Sequence, residues 1–146
     1  MHLVSITRLR VRSVFLMPLF IWHALRTMAQ AQRADGIVHI ATRFEWGNVV
    51  WTKTIWRDAA AMKGYRNGGA HRLAMRLLAE LCSEAAVTRW EQASPEPPSW
   101  ATAHERLLRD GRLSHVKRPS PLHAAGHTAP ATMQPGFAPP SPPVLS

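Results

Sequence analysis

The stretch "WTKTIWRDAAAMKGYRNGGAHRLAM", residues 51–75, holds the side chains with most capacity for chemistry. His71 follows the glycine pair Gly68 and Gly69, and a neutral imidazole there could ligate iron, take a proton from a substrate or hydrogen-bond a bound carbonyl. The same ring could instead cap its helix or sit hydrogen-bonded in the core beside Met75 and Leu78. Trp51, Trp56 and Tyr65 share the stretch. Such rings wall apolar small-molecule pockets, and they also fill cores and subunit interfaces.

Other candidates are thinner. His39, in "IVHIA", could join His71 at a polar site or be a buried, hydrogen-bonded ring. His123 and His127 have a metal-like spacing but no second ligand pair, so no metal site is expected. The glycine pair lacks the spacing of a phosphate-binding loop and suits a bend between helix pieces. The chain has no paired carboxylates, Gly-x-Ser-x-Gly elbow, Cys-x-x-Cys pair or dinucleotide fingerprint. Cys82 is the sole cysteine, so no internal disulfide can form; its leucine-rich helical setting suits a buried thiol in a reducing cytoplasm.

These residues must be positioned by the elements around them. Residues 2–11 contain Val4, Ile6, Thr7 and Val11 and suit a strand. Pro18 can open a helix over 18–33, in which Leu19, Trp22, Arg26 and Ala29 recur at helical spacing and Gly36 stops the chain. "GIVHIATRFEW" and "NVVWTKTIW" form a hairpin around the turn "WGN". Val50, Thr52, Thr54 and Trp56 share one face of its second strand, and Val49, Trp51, Lys53 and Ile55 the other. Asp58 caps the next helix, "RNGGA" interrupts it, and "AHRLAMRLLAELCSEA" resumes it. "AAVTRWEQ" returns as a strand, and Ser99 caps a last helix that presents Trp100, His104, Leu107 and Leu108 to the domain before Gly111.

The order is therefore βαββαβ plus a C-terminal helix: an α+β, ferredoxin-like split βαβ domain over residues 1–112. Large apolar groups on both sheet faces suggest that a second subunit covers the face away from the helices, so a homodimer is expected. Eight of the 12 prolines lie at or after Pro119, and residues 113–146 read as a disordered Pro-rich tail.

The formal net charge of +9 permits attraction to polyanions. The cations, 15 Arg and 3 Lys, are spread along the chain with acids between the later ones. That scatter reads as a solvated surface, with no specific nucleic acid and no membrane as partner. Arg8, Arg10 and Arg12 followed by "VFLMPLFIW" imitate a signal peptide, but Trp22, His23 and Arg26 interrupt the apolar run and residues 2–11 already suit a strand. The location expected is cytoplasmic.

Within "TIWRDAAAMKGYRNGGAHRLAM", the strand-ending Trp56, the "AAM" helix start, the aromatic Tyr65 and the small-residue turn before "HRLAM" resemble the dimeric α/β-barrel superfamily. That superfamily includes antibiotic-biosynthesis and haem-degrading monooxygenases. The series is most similar to spheroidene monooxygenase and the uncharacterised family that neighbours it. The resemblance spans residues 1 to about 110, its specific part lying in 51–75. It implies a dimeric barrel and a monooxygenase-like protein that binds an apolar small molecule or haem, with His71 as ligand or base and Trp51, Trp56 and Tyr65 as substrate-binding residues. The positions that carry a second Trp and the axial His in haem-degrading members fall here on Tyr65 and Met75, so haem degradation is not implied. The same features also suit a non-catalytic dimeric ligand-binding or structural module.

Overall fold

The computed structural model describes residues 1–137, apart from the side chains of Ala70, His71 and Phe137. Alternation of β-branched and polar residues gives β1 (His2–Val11), β2 (Ile37–Glu45) and β3 (Val49–Trp56). Between β2 and β3 the chain turns through Gly47 and Asn48, both with positive φ, at 86° and 64°. Glycine and asparagine are the residues that bear this conformation at least cost.

The helices start where short polar side chains can satisfy free backbone N–H groups. Asp58 accepts from the Ala61 N–H at 2.8 Å and opens α2 (Ala59–Arg66). Ser99 accepts from the Thr102 N–H at 3.1 Å and opens α4 (Trp100–Asp110). Pro18 stands in the first turn of α1 (Met17–Gln32), and Gly68 precedes α3 (Gly69–Leu81). At Gly36 an added Cβ would come within 2.5 Å of the Ala61 Cβ, so glycine is required where α1 turns back toward the sheet.

β4 runs from Cys82 to Gln92. Cys82, expected within a helix, instead ends α3 and begins the strand, with an extended backbone at ψ 144°. With β5 (Arg112–Leu113) and β6 (Gly136–Phe137) the strands form one antiparallel sheet in the order β5-β4-β1-β3-β2-β6. The inner four, β4-β1-β3-β2, are the ferredoxin-like split βαβ arrangement. The stretch that imitates a signal peptide supplies a central strand, β1, and the helix α1. Among the described residues no helix is long and apolar enough to cross a membrane.

The sheet separates two apolar clusters. On one side Phe20, Val50, Leu81 and Cys82 pack with Leu77 and Leu78 beneath α1 and α3. On the other, Val4, Ile6, Trp51 and Ile55 pack against Ala103 and Leu107 of α4 and against Ala129. Within the chain, the face expected to meet a second subunit carries α4 and Ala129 of the C-terminal segment. The outward stripe of α1 also differs from its look in sequence. Trp22, Arg26 and Ala29 mark the helical period, yet they lie on the exposed side, while Phe20 and Ala31 are buried.

Residues 113–137 are correspondingly not the featureless tail their composition suggests. Val116 and Ala129 are buried, α5 (Pro121–Ala124) is capped by Ser120, and β6 pairs with β2 through Phe44 and Glu45. Side-chain bonds fasten the segment: the Ser120 hydroxyl donates to Glu84 at 2.7 Å, and the Thr128 hydroxyl to the Leu107 carbonyl at 2.9 Å. Few apolar side chains suffice because the segment docks on a surface that the sheet has already built.

Candidate functional site

The helix-facing side of β3 contributes Val50, Thr52, Thr54 and Trp56 to a cavity of about 520 Å³. β1 adds Ser5, Thr7 and Leu9, β2 adds Ile40, Thr42 and Phe44, and α1–α3 roof it with Phe20, Ala24, Met28, Met62, Ala74 and Leu78 among others. A floor of small hydroxyl side chains under an aliphatic, thioether and aromatic roof suits an apolar ligand with a few polar contacts.

Trp56 and Tyr65 form one wall together, their rings stacked with centroids 4.9 Å apart and planes 29° from parallel. Both are anchored by hydrogen bonds. The Trp56 indole N–H donates to the Thr54 hydroxyl at 3.0 Å, and the Tyr65 hydroxyl donates to the Thr27 carbonyl at 3.2 Å, tying α2 to α1. Burial raises the Tyr65 pKa well above the usual phenol range, so the group is a proton donor and not a base at neutral pH. Near the glycine bend, Gln30 of α1 donates to the Gly68 carbonyl at 2.8 Å. A Cβ on Gly69 would meet the Gln30 side chain at 3.0 Å, so the bend lets α1 and α3 approach.

Ionisable groups in the lining are few: His23, Tyr65, Arg66 and Arg89, with no carboxylate among the described residues. Arg89 is exposed on β4, and its pKa is lowered by desolvation first and then by Arg66 and Arg112. The lining therefore offers hydrogen-bond donors and positive potential, with His23 as its one described imidazole.

The structure brings together only part of the set singled out in the sequence. Trp56 and Tyr65 line the cavity. Trp51 does not: its side chain leaves the opposite side of β3, is 1% exposed and meets the His104 ring edge-on at 5.8 Å. The period of two along a strand makes this unavoidable, since Trp51 and Trp56 are an odd number of residues apart. His71 lies in the first turn of α3, with its side chain outside the described residues. His39 stands beyond the cavity too, its Nε2 buried without a partner among the described residues and its pKa lowered by burial and then by Lys53. His123 is bonded to the Ser114 carbonyl at 2.9 Å, and the described residues hold no cluster able to bind a metal. The threonine floor and the methionines Met28 and Met62 were not singled out in the sequence. The alternation of β3 was the available signal for Thr52 and Thr54.

No protein-family model and no curated protein matches the sequence. Solved structures match it in fold. SnoaB, a cofactor-independent oxygenase from Streptomyces nogalater, aligns at TM-score 0.55 and 17% identity over 64% of this chain and 94% of its own. A provisionally named antibiotic biosynthesis monooxygenase from Nitrosomonas europaea gives 0.58 and 10% over 64% and 92%. A conserved protein from Methanosarcina mazei gives 0.57 and 11% over 62% and 92%.

The chain shares the ferredoxin-like fold of these proteins.

These similarities cover 62–64% of this chain. At such identities the likeness concerns the fold and leaves the cavity's chemistry to the residues themselves.

Proposed function

We propose that this is a monooxygenase-like protein that holds an apolar small molecule in the cavity between the sheet and α1–α3. The apolar cavity bounded by the Trp56–Tyr65 stack carries the reading. Hydroxyl groups of Thr52 and Thr54 and the rim arginines orient the ligand's polar atoms, while the stacked rings fix its plane. In the cofactor-free form of the reaction an electron-rich substrate reacts with oxygen directly, and the protein's part is to exclude water, hold the substrate and stabilise developing negative charge at Arg66 or Arg89.

A hydrophobic fluorescent probe such as Nile red tests the site. Saturable binding that Ala24→Phe weakens by about tenfold, through loss of cavity volume, supports it. Absence of saturable binding, or affinity unchanged in that variant, removes it. Haem fits the described lining less well, since it offers one imidazole and no thiolate or carboxylate. Titration with haemin decides: a Soret shift that is lost in His71→Ala or His23→Ala would install haem as cofactor, and no shift leaves the cofactor-free form.

The same lining favours a second reading, a ligand-binding module without chemistry. Among the described residues no carboxylate lines the cavity, and Tyr65 is held protonated, so a general base is represented there only by the His23 imidazole. Oxygen uptake with an autoxidisable phenolic substrate separates the two: uptake no faster than in buffer leaves the module.

A further inference from the structure

The outer surface of the α1–α3 layer carries charge and apolar area, most of it outside the cavity. Between Ser13 and Ala34, and again between Ala59 and Ala79, the chain contains no Asp or Glu. The same stretches hold Arg26, Arg33, Lys63, Arg66, Arg72 and Arg76. Packing of α1 against α3 gathers onto one layer cations that are scattered in sequence. Arg26, Arg33, Lys63, Arg72 and Arg76 are exposed, and none makes an ion pair among the described residues.

Apolar side chains stand among these cations. Phe15 is 89% exposed, Trp22 59%, Leu19 45% and Leu25 60% on the α1 side, with Met75 49% on α3. Phe15 lies in the 3-10 turn Val14–Leu16 that leads into α1, and Leu19 and Trp22, three residues apart, share one face of α1. The acids lie elsewhere or are held: Asp35 and Asp58 by Arg57, Glu80 by Lys117, and Glu84 in the interior by Arg8 and Arg10.

We propose that this layer docks on an anionic lipid surface. An exposed helical face of Trp, Phe and Leu beside Arg and Lys is the composition that settles at a headgroup boundary, with the rings among the acyl chains and the cations on the phosphates. Neither component alone would specify this partner. A second copy of the chain would set one acid-free cationic layer against another, so like charge opposes self-association here. A nucleic acid would satisfy the cations and could stack on Trp22, but it would leave Leu19 and Leu25 in water.

The position of the cavity agrees with the docking surface. Leu25 and Met75 line the cavity and are also substantially exposed, so its mouth opens between α1 and α3 on the side that would face the lipid. A ligand could then pass from bilayer to cavity without crossing water, a route that rests on the proposed ligand reading, whereas the docking does not.

Flotation of the full chain with vesicles tests the proposal. The expected result is co-flotation with mixed phosphatidylcholine–phosphatidylglycerol vesicles, little with phosphatidylcholine alone, and weakening as salt is raised. The double substitution Phe15→Ser and Trp22→Ser, at exposed positions outside the cavity, should lower binding on the order of tenfold with circular dichroism unchanged. Arg26→Glu with Arg76→Glu should lower it as well. Equal binding to neutral vesicles, no binding at low salt, or indifference to the Phe15 and Trp22 substitutions would overturn it. So would RNA binding of equal strength that the same double variant leaves intact. Retention of Nile red binding by the double variant separates failure at this surface from failure of the cavity.

Discussion

Arg8 of β1 donates to Glu84 of β4 at 2.6 Å, and both side chains are almost entirely shielded from solvent, 4% and 3% exposed. The pair sits on the α4 side of the sheet, where Ser120 adds a bond to the same carboxylate and Arg10 reaches it at 3.1 Å. It therefore joins the centre of the sheet to the segment that covers it. Glu84→Gln leaves the Arg8 charge buried without its counterion, which should cost about 3–5 kcal/mol in denaturant unfolding.

The pH dependence has a definite sign. Burial alone would raise the Glu84 pKa, but the Ser120, Arg8 and Arg10 contacts outweigh it and hold the carboxyl below its ordinary value. The unfolded chain therefore takes up this proton first as pH falls. The contribution is complete above the ordinary glutamate range and is lost as pH drops through that range to the lower native value. Unfolding free energies measured across acid pH should fall less steeply in Glu84→Gln than in the parent protein. Equal slopes would assign the acid sensitivity to other groups.

Trp51 and Trp56 can be told apart by paired substitutions. Trp51→Phe and Trp56→Phe each shrink a buried ring and should cost about 0.5–3 kcal/mol of stability. Only Trp56→Phe should weaken Nile red, because only Trp56 borders the cavity. Equal weakening by Trp51→Phe would show that the opposite face takes part in binding.

Cys82 should be inert in the native protein. It is fully buried at the junction of α3 and β4, and burial pushes its thiol up to about 12. Reaction with an aromatic disulfide reagent at mildly alkaline pH should be slow until denaturant is added, since the thiolate is the attacking form. Rapid native labelling would mean that the end of α3 opens readily.

The covering role of α4 is tested by Leu107→Asp. Leu107 is fully buried against the Trp51 cluster, so a carboxylate there should release α4 from the sheet. Trypsin should then cut faster after Arg106, Arg109 and Arg112 than it does in the parent chain. Equal cutting in the two proteins would show that α4 is not held by this contact.

Much of the element plan was legible because it is local chemistry. Asp58 and Ser99 can bond only to N–H groups that lie next to them in the chain, and Gly36, Gly47 and Asn48 mark turns through their own backbone angles. The period of two in β3 even placed Trp51 and Trp56 on opposite faces. Sequence did not say which face closes over a cavity, because that depends on which helices return to it.

Tertiary structure decided the rest, for a common reason: the relevant partners are far apart in sequence. Trp51 became core only when His104 and Leu107 came across the sheet. The proline-rich stretch after Gly111 could not form a core of its own, yet Val116 and Ala129 needed only a surface that other residues had built. Cations that alternate with neutral residues along α1 and α3 acquire a common side only when the two helices pack together. The sequence by itself determined the elements, their caps and the alternation of their faces; long-range packing determined which faces meet, and with them the cavity, the covered sheet and the charged layer.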